Sequence, residues 1–195
     1  MFMLYVAVLA SVILAVLGVA YSILHPENRL WPPPGKGSWE FWAILGVDTI
    51  CTVGVPVVGL LDRGSLGIGH PLAFSLGVLS ILFPSLLVVW AMMALGLSQS
   101  FGLKGGLVIA GPYKYSRNPQ YVGFVLMLVG VILVTDSAQA LVTGSLVILL
   151  LLLAPFSEEP WLREQFGRRY DEYCEGVPRF LGLRSFKGCF TADDP

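Results

Sequence analysis

Two polar constellations interrupt an otherwise apolar chain, and their residue types are capable of chemistry. The first, Gly111-Pro112-Tyr113-Lys114-Tyr115-Ser116-Arg117-Asn118-Pro119-Gln120-Tyr121, sets a guanidinium, phenols and amides immediately before an apolar run. The second is the carboxylate pair Glu158-Glu159, immediately after another apolar run. Only Thr135-Asp136-Ser137 separates the two runs, so they are expected to form a tight antiparallel hairpin. Its open ends return to one face, which makes residues near Asn118 and Glu158 spatial neighbours. Basic and aromatic groups then meet carboxylates at the mouth of a helical bundle, an arrangement able to hold a zwitterionic or cationic ligand. The same residues also read as membrane furniture, with Arg117 as a charge anchor, the tyrosines as an interfacial belt and the glutamates as the start of a helix. Spacing alone leaves both readings open.

The elements that must position these groups follow from composition. The chain has 195 residues, 55% hydrophobic and 13% charged, whereas soluble domains carry about 25% charged residues. Such a chain needs lipid to face. Apolar runs at 2–24, 39–61, 71–97, 120–134 and 138–156 predict an all-α membrane protein, a bundle of about five transmembrane helices within a single membrane domain spanning 1–195. The fourth run is short for a full crossing. The first has no basic flank or small-residue cleavage site, which predicts a retained helix rather than a signal peptide. Pro56 and Pro84 inside the second and third runs predict kinks.

Charge distribution orients the bundle. Eleven of the twelve Lys and Arg residues, from Arg29 to Lys187, fall in the three segments that five crossings place on one side, and Arg63 alone falls on the other. By the positive-inside rule the N-terminus is outside and the C-terminal tail cytoplasmic. From Ser157 onward acids precede bases, and Trp161, Leu162 and Phe166 share a helical face, which predicts an amphipathic helix lying in the interface and interrupted at Gly167. The proline run Trp31-Pro32-Pro33-Pro34 reads as an interfacial loop without chemistry. Cys51, Cys174 and Cys189 show neither disulfide nor metal-ligand spacing, and no metal is expected. The net charge of -1 gives no support to a nucleic-acid partner. Oligomeric state is not legible.

The pattern Gly111-x-Tyr113, Arg117-Asn118-Pro119-x-Tyr121-x-Gly123, the hairpin, Glu158-Glu159-x-x-Leu162-x-x-x-Phe166-Gly167-x-x-Tyr170-x-x-Tyr173 and Val177-Pro178-Arg179 resembles the isoprenylcysteine carboxyl methyltransferase and phospholipid methyltransferase group. The resemblance covers roughly 105–180 and stops short of the first two helices. It implies a membrane-embedded methyltransferase using S-adenosyl-L-methionine, with a cofactor-binding part at about 98–183. Carried over by position, the cofactor residues are Gly106, Leu107, Val108, Tyr113, Asn118, Pro119, Gln120, Tyr121 and Glu158. Asn118 stands where the family has His, and an amide exchanges hydrogen bonds without titrating. The arginine that prenylcysteine-directed members carry before the Glu pair has no counterpart in Leu151–Phe156, which weakens a prenylcysteine substrate.

Methyl transfer from a sulfonium needs alignment and exclusion of water more than a nucleophile from the protein. Arg117 is the candidate partner for the cofactor carboxylate and Glu159 the candidate acceptor of a proton from an amine substrate. The acceptor is a phospholipid amine, a prenylated thiol or carboxylate, or a small lipophilic metabolite, and membrane lipids are the expected surroundings. The alternatives are an NADPH-dependent sterol-reductase-like enzyme, which needs a cationic site for the 2′-phosphate and a longer bundle, and a non-catalytic membrane scaffold.

Overall fold

The computed structural model describes residues 1–186; Lys187 and Cys189 lie outside the described residues. Every regular element among them is helical. Helix α1 (Phe2–Leu24) is followed by a loop with one 3-10 turn (Pro26–Asn28). The second apolar run begins as α2 (Trp39–Thr49), passes through a π-helical turn (Ile50–Gly54) and continues as α3 (Val55–Leu61). Pro56 is the cause: it has no N–H to give the preceding turn, and the widened π turn absorbs the misfit. Helix α4 (Pro71–Leu95) carries Pro84 inside it and stops at Gly96, whose φ is +85°. A short α5 (Leu97–Ser100) and a 3-10 turn (Gly111–Lys114) lead to α6 (Pro119–Thr135), and α7 (Ala138–Phe166) and α8 (Arg168–Gly176) follow.

Among the described residues four units are long and apolar enough to cross a membrane: α1, the α2–α3 unit, α4 and α7. Helix α6 is equally apolar, but its 17 residues rise only about 25 Å against a hydrocarbon core of roughly 30 Å. It lies antiparallel along α4 at very short range. A Cβ on Gly77 would stand 2.9 Å from the Gly130 carbonyl oxygen, and one on Gly123 would stand 2.5 Å from Val88. Between lipid-embedded helices, where apolar side chains gain little by leaving lipid for protein, such close backbone approach is what packs them. Along its other flank α6 meets α7, and α7 also runs beside α1; Val8 and Val12 of α1, Val55 and Val58 of α3 and Val147 of α7 form one buried cluster.

One expectation about the elements is revised. The fifth run does not end at 156 with a separate interfacial helix beyond it; α7 is continuous through Ser157 and both Pro155 and Pro160 to Phe166. The change to polar residues at Ser157 marks where the chain leaves the apolar layer, and no stop signal accompanies it. The Ser157 hydroxyl donates to the Trp31 carbonyl instead of capping a new helix. The stop comes at Gly167, with φ of +53°, whose N–H closes on the Arg163 carbonyl at 2.9 Å. Glu158 and Glu159 are therefore residues of a helix interior rather than of a helix start.

Ser137 and Asp136 make the α6–α7 turn, with Asp136 in the left-handed region. This turn is tied to the α3–α4 loop: Asp62 Oδ2 accepts from Ser65 Oγ at 2.6 Å, Ser137 Oγ at 2.7 Å and the Gln139 amide at 3.1 Å. Asp136 accepts from the amides of Ile68 and Gly69 at 2.9 and 3.1 Å. The α1–α2 loop, the segment 96–118 and the tail after α7 gather at the opposite end.

Candidate functional site

At that end a cleft of about 870 Å³, part of it open to solvent, lies between the 99–108 segment, the start of α6, the last three turns of α7 and α8. Helix α6 starts at Pro119, whose missing N–H costs nothing at the first helical position. That start presents Gln120 and Tyr121 to the cleft. Gln120 Nε2 donates to Ser100 Oγ at 2.9 Å and to Tyr113 Oη at 3.1 Å. The Tyr113 carbonyl in turn accepts from Tyr173 Oη at 2.7 Å, which ties α8 to the 3-10 turn. Burial, with the Glu158 carboxylate nearby, holds the Tyr113 phenol well above its ordinary range despite the Gln120 bond, so it is protonated at all working pH.

The two glutamates are held by opposite chemistries. Glu158 Oε1 accepts from the Trp31 indole N–H at 2.6 Å and from the Tyr121 hydroxyl, both neutral donors. Both reach the same oxygen, which leaves Oε2 for a ligand. Glu159, 5% exposed, is gripped by cations. Arg179 donates from Nε and Nη2 at 2.6 and 2.8 Å in a bidentate fork, Arg117 Nη1 lies at 3.0 Å, and Arg163 Nη2 at 3.8 Å. The hydrogen bond to Glu159 raises the pKa of Arg179 further, and its guanidinium also sits 3.9 Å from the centre of the Phe156 ring.

Asn118 has a defined task. Its amide donates to the Arg179 carbonyl at 2.9 Å, the Ser116 hydroxyl reaches the same carbonyl at 3.3 Å, and the Arg117 amide donates to the Pro178 carbonyl at 3.0 Å. The tail segment 178–179 is thus strapped across the α6 start by groups that need no charge at residue 118.

The comparisons with known proteins bear on this region. A model of the phospholipid methyltransferase family matches residues 72–169, just over half of the chain. The chain belongs to that family. It is also 30% identical over 105 residues to phosphatidylethanolamine N-methyltransferase B of Dictyostelium discoideum, an alignment covering 50% of this chain and 52% of the relative. The chain thus spans about half the length of the curated relative that it matches. No solved structure matches it. This is accordingly an all-α multi-pass membrane protein of a methyltransferase family, and the matched residues run from the start of α4 into α8.

Of the residues singled out in the sequence, Gly106, Leu107, Val108, Tyr113, Arg117, Asn118, Gln120, Tyr121, Glu158 and Glu159 all line the cleft. Pro119 does not; it is buried at the first turn of α6. Sequence reasoning missed Trp31, Gln99 and Ser100. Gln99 Nε2 donates to the Gly106 carbonyl at 2.8 Å and holds the 105–108 strip. Trp31 was visible beside its prolines, but no sequence signal connected it to a carboxylate 127 positions away.

Proposed function

We propose that this protein transfers a methyl group from S-adenosyl-L-methionine to a lipophilic acceptor, and that the acceptor atom is the amine of a phospholipid headgroup. The observation that carries the reading is Glu158: a carboxylate held by two neutral donors in a cleft lined by the motif residues, inside the family-matched segment. Among the described residues no cation pairs with it, so it suits a cationic ligand.

The donor set around it fits the cofactor. Arg117 Nε is a buried N–H with no partner among the described residues, suited to a carboxylate. No atom stands within 4 Å of where a Cβ would lie on Gly106, so the backbone there is open to a flat group. Tyr113, Tyr121 and Trp31 supply ring faces, on which a cation is attracted. Glu158 would hold the cofactor's amino or ribose groups, and the strip 106–108 its base. The bound cofactor supplies an activated methyl, and the chain supplies alignment and exclusion of water.

The proton released by an amine acceptor needs a base. Glu159 is the expected one, but its oxygens are engaged by Arg179 and Arg117. We assign Glu159 to holding the tail, and the proton to a water at the open side of the cleft. The family and the relative's name support the phospholipid acceptor. The gathering of basic segments at the cleft end supports placing that end and the tail in the cytoplasm.

Purified protein incubated with lipid extract and labelled S-adenosyl-L-methionine should put label on an amine phospholipid; label on a prenylated thiol or carboxylate instead would overturn the acceptor. Calorimetry in detergent should show S-adenosylhomocysteine binding, lost about tenfold or more in Glu158→Gln. Binding of NADPH in its place would overturn the methyltransferase reading itself.

A further inference from the structure

Trp31 lies outside the family-matched residues 72–169, yet it makes one of the two hydrogen bonds to Glu158. We propose that Trp31 is a positioning residue, which acts through Glu158 to fix the carboxylate while leaving its charge unspent, so that α1 and the loop after it become part of the cofactor site. The proposal rests on the methyltransferase reading.

Three observations support it. The backbone around Trp31 is pinned from both sides. On α1, the buried Ser22 hydroxyl accepts from the amides of Leu30 and Trp31 at 2.9 and 3.2 Å. On α7, the Ser157 hydroxyl donates to the Trp31 carbonyl, one residue before the glutamate that the indole contacts. A loop anchored this closely to positions 157 and 158 has little freedom to withdraw its side chain.

The ring itself is seated against the next segment of the cleft. A Cβ on Gly102 would stand 2.8 Å from the indole, and Gly102 has a φ of +75°. Only a residue without a side chain lets the chain pass there.

The chemistry of the donor matters most. Indole N–H is donor-only and uncharged. It can orient a carboxylate without neutralising it, as Arg179 and Arg117 neutralise Glu159. A guanidinium in the place of the indole N–H would instead satisfy the charge that a cationic ligand needs. The neutral pair Trp31 and Tyr121 therefore sets both the geometry and the ligand class of Glu158.

The test is a double-mutant cycle in full-length protein in detergent, read by calorimetry with S-adenosylhomocysteine. Trp31→Phe keeps a ring against Gly102 and removes the N–H; it should weaken binding about tenfold. In a Glu158→Ala background the same change should cost less than about twofold, because the acceptor of the indole N–H is already gone. Wild-type affinity in Trp31→Phe overturns the proposal, as do effects that simply multiply in the double variant; both leave the methyltransferase reading standing. Failure of wild-type protein to bind the ligand overturns that reading and this proposal with it. A second measurement avoids dependence on a folded Trp31→Phe protein. Among the indole N–H resonances of the five tryptophans, one should be protected from solvent exchange in wild-type protein and lose protection in Glu158→Ala; unchanged protection of all five overturns the proposal.

Discussion

Glu158 and Glu159 are adjacent on one helix and chemically identical, and they differ only in what surrounds them. Neutral donors hold Glu158 with no guanidinium beside it, whereas Arg179 of the tail and Arg117, two residues before the α6 start, consume the charge of Glu159. Removing one member of a buried pair strands the other. The Glu159 and Arg117 side chains are 6% and 10% exposed, so Glu159→Ala should cost about 3 kcal/mol of stability by uncovering Arg117. Glu158→Gln should leave the melting temperature nearly unchanged and weaken cofactor binding. Thermal unfolding in detergent, alongside calorimetry, separates the two. A Glu159→Ala protein that melts like wild type but turns over no substrate would return the proton-transfer role to Glu159. Asn118 belongs to the same scale: its amide needs only to donate to the Arg179 carbonyl, so a residue that cannot titrate suffices there.

Among elements, the α4–α6 pair decides whether the short α6 can hold its place. Gly130 faces Gly77 so closely that a Cβ on it would stand 2.7 Å from the Gly77 carbonyl oxygen and 2.8 Å from Ile81. Gly130→Leu should therefore cost about 1–3 kcal/mol through forced separation of the two helices. Gly46→Ala supplies a control, since no atom lies within 4 Å of its would-be Cβ in α2. There the gain in helix propensity should stabilise by about 0.5–1 kcal/mol. Equal effects of both changes in detergent unfolding would argue against close packing as the force that holds α6. Helix α7 carries the other lesson at this scale: by running ten residues past Phe156 without a break, it delivers Glu158, Glu159, Trp161 and Phe166 to the cleft on one rigid rod.

In the whole molecule, the end remote from the cleft is held by the acidic clasps of Asp62 and Asp136. Hydrogen bonds from Ser65, Ser137 and the Gln139 amide hold the Asp62 carboxyl below its ordinary value, against a small opposing effect of burial. A group whose pKa is depressed on folding adds stability above its unfolded value and loses it as pH falls through the folded one. The difference in melting temperature between wild type and Asp62→Asn should thus be full at pH 7 and shrink below about pH 4; a difference constant down to pH 3 would show that the clasp needs no charge. At this scale the sequence by itself determined much. Apolar run lengths set the helices, the polar stretch Thr135-Asp136-Ser137 set the α6–α7 hairpin, and basic residues marked one end, because burial in lipid and backbone satisfaction are local demands written every few residues. The candidate residues from Gly106 to Tyr121 and Glu158 came from the family resemblance, whose motifs are likewise local in sequence, and the structure brings them to one cleft except for Pro119. Only the tertiary structure decided which glutamate is free and which is spent, that α7 continues through two prolines, and that Trp31 completes the site. Each of those depends on a partner distant in sequence, such as Arg179 for Glu159 and Ser22 and Ser157 for Trp31, and no local pattern specifies which distant donor a carboxylate will meet.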